Sequence, residues 1–207
     1  MNNFNWDSTF SAAFDLHDGY AAAPSAVITD HMIRMASAAP AATPRHLSQM
    51  KDMYQDREAA EKLLEDGDPL IYEFYELGAP ERDGDLAFGT TIIHPGKVGN
   101  EYYMTKGHFH KKVMTSEVYY TLSGRGYMMM ENMAGDWMAA PLVKGEALYV
   151  PRGYAHRTVN TGGEDLVAFY VFAADAGHDY GTIETKGFRH IVVEEGDESV
   201  IRENPAW

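Results

Sequence analysis

The chain has 207 residues, no cysteine and a formal net charge of −14, so disulfides, thiol nucleophiles, iron–sulfur clusters and zinc ribbons are excluded, and any metal must be held by nitrogen and oxygen. The acidic balance opposes nucleic-acid and anionic-membrane partners, because both require a basic face that displaces counterions. No apolar stretch approaches a membrane span and residues 1–10 lack the basic start and apolar core of a secretory signal, so a cytoplasmic location is expected.

Residues 1–44 are rich in Ala with scattered polar residues and read as an N-terminal extension and linker. Thr43-Pro44 then offers an N-cap and a favourable first helical residue. Leu47, Met50, Tyr54, Ala60, Leu63 and Leu64 recur near helical spacing until Gly67, which predicts one amphipathic helix over about 44–66, leading a domain over 45–207. From Leu70 the pattern changes to short β-rich runs separated by turn residues: LIYEFYEL, AFGTTII, EYYMTK, EVYYTL, YMMMEN, DWMAAPLV, ALYVP, HRTVN and DLVAFYVF. Many short strands at close spacing predict an all-β sandwich or small barrel. Met128, Met129 and Met130 fall inside one such run and read as strand filling.

The chemistry concentrates in two segments. Gly107-His108-Phe109-His110 places two imidazoles at i and i+2, and alternate residues of a strand project from one face, so both rings can reach one ion. Glu117 opens the next β-rich run, and His156 follows a Pro-x-Gly turn that can return a strand toward the first pair. Three imidazoles and a carboxylate suit Fe, Mn, Ni, Co or Zn and leave two positions of an octahedron open for catalysis or ligand binding. An HxH pair alone is common by chance. The second segment is specific: Gly145, Pro151, Gly153, His156 and Asn160 stand at the spacings of the second cupin motif. The first segment departs from the general cupin pattern, since six residues separate His110 from Glu117.

Together, TKGHFH, EVYYTLSGRG, VPRGYAHRTVN and ADAGHDYGT resemble the cupin-type glucose-6-phosphate isomerases, over residues from about 47 to 207. The resemblance implies a cupin jelly-roll barrel, here with an N-terminal helical extension, assembled as a homodimer. It implies one divalent metal ion per subunit, iron first and Mn, Ni, Co or Zn as alternatives, and interconversion of glucose 6-phosphate and fructose 6-phosphate. Carried over, the metal ligands fall on His108, His110, Glu117 and His156, and the phosphate-binding region on Thr91 and on Thr105, Lys106 and Gly107. His178 and Tyr180 fall at the mouth of the site. Hydroxyls and backbone N–H groups beside a glycine suit a phosphate. Tyr119 alternates with Glu117 on one strand face and is a candidate sugar contact.

Glu117 is then both ligand and leading base, with His178 as an assisting acid or base; a hydride shift is the alternative route. Phe172 stands where some members have a tyrosine and Gly153 where some have an aromatic residue. His17, His31, His46, His94 and His190 match no ligand spacing and read as structural or exposed. Two other functions fit the same ligand set: a metal-dependent oxygenase and a non-catalytic sugar-phosphate-binding cupin.

Overall fold

The strand-period runs pair antiparallel throughout the part of the chain that a computed structural model describes, residues 42–77, 81 and 83–207. In order the elements are β1 (Thr43–His46), two single 3-10 turns (Leu47–Gln49 and Lys51–Met53), α1 (Arg57–Glu65), β2 (Leu70–Leu77), β3 (Leu86–Ile93), β4 (Lys97–Val98), β5 (Glu101–Tyr102) and β6 (Phe109–His110). There follow β7 (Glu117–Ser123), β8 (Arg125–Asn132), β9 (Trp137–Val143), β10 (Ala147–Val150), β11 (Tyr154–Asn160), β12 (Leu166–Ala173), β13 (His178–Asp179), α2 (Gly181–Lys186), β14 (His190–Glu195) and β15 (Glu198–Glu203).

Six strands in the order β1-β2-β3-β12-β7-β10 form the larger sheet, and β11-β8-β9 form a second; β13 pairs with β6, and β15-β14-β5-β4 make a further sheet. In the larger sheet β12 returns from far along the chain to lie between β3 and β7, the long-range antiparallel pairing of a jelly roll. The fold is therefore the expected all-β cupin barrel. Alternation decides what faces inward: on β7 Glu117, Tyr119 and Thr121 are buried while Val118 is exposed. Met128, Met129 and Met130 are buried strand residues of β8, opposite Thr158, Arg157 and His156 of β11. Tyr72, Tyr119, Tyr170 and Phe172 from the larger sheet join Met128 and Met130 in one buried cluster.

The helix predicted over about 44–66 is shorter and starts later. Thr43 and Pro44 lie in β1, opposite Phe74 and Glu73 of β2; β1 is a sheet edge, where a residue without an N–H is tolerated. Leu47 and Met50 matched helical spacing because the 3-10 turns that carry them repeat every three residues. The true start is Asp56, whose side chain accepts a 2.9 Å hydrogen bond from the Ala59 N–H. Residues 1–41 of the expected extension lie outside the described residues. No strand was expected after Phe172, yet β14 and β15 form a hairpin; Gly196-Asp197 between two β-rich runs is the signal that marks it. Among the described residues no helix is long and apolar enough to cross a membrane.

Candidate metal centre

Gly107 sets the approach to the first histidines. Its φ is +73°, and a Cβ there would stand 2.7 Å from Phe188 Cε2 and 2.9 Å from the His156 carbonyl oxygen, so glycine alone meets both the backbone sign and the space. The next residue, His108, exchanges backbone hydrogen bonds of 3.3 and 3.1 Å with His156 of β11. His110 ends β6 and is paired with His178 of β13. Glu117 opens β7 opposite Phe172 of β12. Three separate segments therefore deliver the four side chains that the spacing singled out.

One ligand atom from each of His108, His110, Glu117 and His156 lies within 4.8 Å of all the others. Donors on opposite sides of one ion stand about 4.2 Å apart at ordinary metal–nitrogen lengths, so the cluster has the span of a single coordination sphere. His110 Nε2 is 3.1 Å from Glu117 Oε2 and His156 Nε2 is 3.0 Å from the same oxygen. The second approach is close but not aligned as a hydrogen bond, and both ring nitrogens of His156 and Nε2 of His108 are buried with no hydrogen-bond partner. Buried polar nitrogens without partners are costly, and a cation among them would take up one nitrogen from each of these two rings.

The electrostatics fit the same ion. Burial alone would raise the Glu117 carboxyl, but His156 close by and the His110 hydrogen bond hold it well below the usual carboxylate range. Burial, with His156 and His178 alongside, pushes His108 well below the ordinary histidine value, leaving it neutral as a ligand must be. Thr115 fixes the tautomer of His110. Its hydroxyl donates to the Lys112 carbonyl (2.7 Å), so its oxygen accepts from His110 Nδ1 (2.8 Å) and directs Nε2 at Glu117. In that tautomer Nε2 carries the lone pair, the form in which it could take a metal ion beside Glu117.

His108, Glu117 and His156 stand at the floor of an open pocket. Thr91, Thr105, Lys106, Gly107, Tyr119, His178 and Tyr180 all line it, together with His108, Glu117 and His156. His110 stands behind them, 4 % exposed, stacked on Phe172 at 5.7 Å. The His178 ring is 4.4 Å from His108 and 6.1 Å from Tyr180, which stacks on it.

The family model described as glucose-6-phosphate isomerase matches residues 44–207. This chain belongs to the glucose-6-phosphate isomerase family. A glucose-6-phosphate isomerase of Thermococcus litoralis is 48% identical over 79% of this chain and 86% of its own, and one of Sinorhizobium medicae is 37% identical over 84% and 82%. A solved oxalate decarboxylase from Bacillus subtilis is 24% identical over 52% of this chain and 26% of its own, with a TM-score of 0.41.

Beyond the residues expected for a glucose-6-phosphate isomerase site, the pocket takes Tyr72, Phe74 and Glu76 from β2, Thr158 from β11 and Tyr170 from β12. The signal for the first three was present, since alternation in LIYEFYEL puts them on one face, but nothing in the run said which face met the histidines. Phe172 does line the pocket, whereas Gly153 does not; its N–H donates to the Val113 carbonyl at 2.7 Å. Of the histidines set aside, His46 meets the Asp68 carbonyl at 2.9 Å, His94 meets Asp165 at 2.9 Å, and His190 stacks on Trp137 at 3.7 Å. His17 and His31 lie outside the described residues.

Proposed function

We propose that the chain is a metal-dependent isomerase interconverting glucose 6-phosphate and fructose 6-phosphate, working in the cytoplasm. The observation that carries the reading is one pocket lined by His108, Glu117 and His156, with His110 of the same cluster behind them, and by Thr91, Thr105 and Gly107. His108, His110, Glu117 and His156 would hold a divalent ion, iron first among those such donors suit, which would supply Lewis acidity for the sugar's carbonyl. Thr hydroxyls and the Gly107 backbone hold the phosphate and so fix which carbons face the floor. Tyr119 is pushed well above the usual phenol range, chiefly by burial and then by the Glu117 charge, and stays a proton donor to a sugar hydroxyl.

Glu117 is the base that moves the proton between C1 and C2. A ligand carboxylate is a poor base if both oxygens are engaged, but the close approaches of His110 and His156 both fall on Oε2, which leaves Oε1 for the substrate. His178, set beside His108 at the pocket mouth, passes a proton between the two sugar oxygens. A homodimer is part of the proposal: Val118 and Tyr149 are exposed, and Phe88, Tyr120, Phe169 and Val171 half-buried, on adjacent strands of the larger sheet, a face suited to a second copy.

Stripping the metal should abolish turnover and adding back Fe, Mn, Ni, Co or Zn singly should restore it to differing extents. Restoration of oxygen consumption instead would assign the oxygenase reading. In metal-saturated protein, Glu117→Gln should lower turnover by about 10² to 10⁴, the usual worth of a general base, while sugar phosphate still binds; full activity there, or absence of solvent deuterium at C1 and C2 in the product, removes Glu117 as the base.

A further inference from the structure

We infer, building on the assignment of residues 105–107 to the substrate's phosphate, that Arg157 is a positioning residue for that phosphate: its buried guanidinium fixes and polarises the Lys106–Gly107 peptide so that the Gly107 N–H stands as a preset donor into the pocket. Arg157 follows the ligand His156 in β11 and is 2 % exposed. It forms no salt bridge with a described residue. Instead Nε (3.2 Å) and Nη2 (2.7 Å) both donate to the carbonyl oxygen of Lys106. The ring of Phe188, itself buried, lies against the guanidinium with its centroid 4.5 Å from Cζ, so the fork has no freedom to turn away.

The consequence follows from peptide geometry. Among the described residues there is no cis peptide, and in a trans unit the C=O and the next N–H point in opposite directions. With the Lys106 carbonyl drawn to Arg157, the Gly107 N–H is turned the other way. Gly107 lines the pocket, and its N–H has no hydrogen-bond partner among the described residues. A carbonyl hydrogen-bonded to a cation polarises its whole amide and strengthens the N–H across it. The neighbouring residue is locked in the same way, since the Thr105 N–H donates to the Thr158 carbonyl (2.9 Å) and Thr105 Oγ1 accepts from the Thr158 N–H (3.0 Å), leaving the Thr105 hydroxyl proton for the pocket.

Charge makes the device necessary. The chain carries −14 overall and repels a phosphate dianion at long range. Lys106, the nearest surface cation on the loop, is already engaged by Glu184 at 3.2 Å. A permanent positive charge buried one peptide behind the donor opposes that repulsion where salt screens least. A guanidinium suits the task better than an ammonium because two of its N–H groups converge on one oxygen.

The test uses the metal-loaded full chain, with inorganic phosphate as probe and fructose 6-phosphate as substrate. Arg157→Met should raise the phosphate Kd and the KM by about tenfold or more, as loss of a charge-assisted donor does, with kcat within about threefold and metal content unchanged. Arg157→Lys should recover part of the loss. Unchanged phosphate affinity in a folded Arg157→Met protein, or a fall in kcat at constant KM, overturns the inference. Should neither variant fold, the wild type decides: in zinc-loaded, nitrogen-15-labelled protein the Gly107 amide proton should move downfield as phosphate is added, and an unmoved Gly107 resonance overturns the inference. Phosphate-dependent movement of Gly107 without any hexose-phosphate turnover would instead overturn the isomerase reading and leave this one standing.

Discussion

Thr115 shows how much of a ligand's behaviour is set by a residue that cannot itself reach the ion. By accepting from His110 Nδ1 it decides which ring nitrogen faces Glu117. Thr115→Val keeps the shape and removes the acceptor, so metal affinity should fall by about 10- to 100-fold while the fold and the other three ligands persist. Competition against a chelator with a graded metal buffer measures it, and affinity within twofold of wild type would free His110 from that control. The four ligand candidates were legible in the sequence because they rest on period-2 spacing and on a rigid motif. Thr115 was not, since its partner is chosen by a turn in which its own hydroxyl reaches the Lys112 carbonyl. Arg157 was hidden for the same reason: the motif shows an arginine, and only the pairing of β11 with the residue 105–108 segment shows what it holds.

At the scale of elements, strands were read well and their neighbours poorly. Local alternation predicts that Glu117 and Tyr119 share a face, but the placing of β12 between β3 and β7 depends on contacts far apart in sequence. The hairpin β14–β15 went unread, and it matters for β5, because Val193 of β14 pairs with Glu101. Glu101 is 2 % exposed; burial pushes its carboxyl up to about 7, and the Gln55 N–H and the Arg157 charge draw it only partly back. Between its ordinary value near 4.5 and about 7 the folded chain keeps a proton that the unfolded chain has released, so this group lowers stability as pH rises through that window. The full effect above pH 7 is on the order of 3 kcal/mol. Glu101→Gln, which retains an acceptor for Gln55, should therefore melt progressively higher than wild type as pH goes from 5 to 8, and a melting difference that does not change with pH would refute the assignment.

For the whole molecule, assembly was expected from family resemblance alone, and the proposed second copy would pack on the larger sheet's outer face. Light scattering at working concentration should give twice the 23.1 kDa of one chain, and a monomer would remove the second copy from the proposal. The barrel also brings the ligands together from segments far apart in the sequence, so the cluster exists only when the fold is complete. Metal binding should accordingly raise the melting temperature in proportion to the logarithm of free metal over its dissociation constant.

The burial of His110, Glu117 and His156, at 4, 3 and 2 % exposure, sets the traffic of the site. These ligands close off the floor from the core side, so in the proposed enzyme ion and sugar would enter from the same side, past Tyr180, His178 and the residue 105–107 loop. A tenant in the pocket is then a cork. A non-reacting sugar-phosphate analogue at saturation should slow extraction of the metal by a chelator several-fold without making the metal's own bonds any stronger, and equal extraction rates with and without the analogue would show that the ion has a back door.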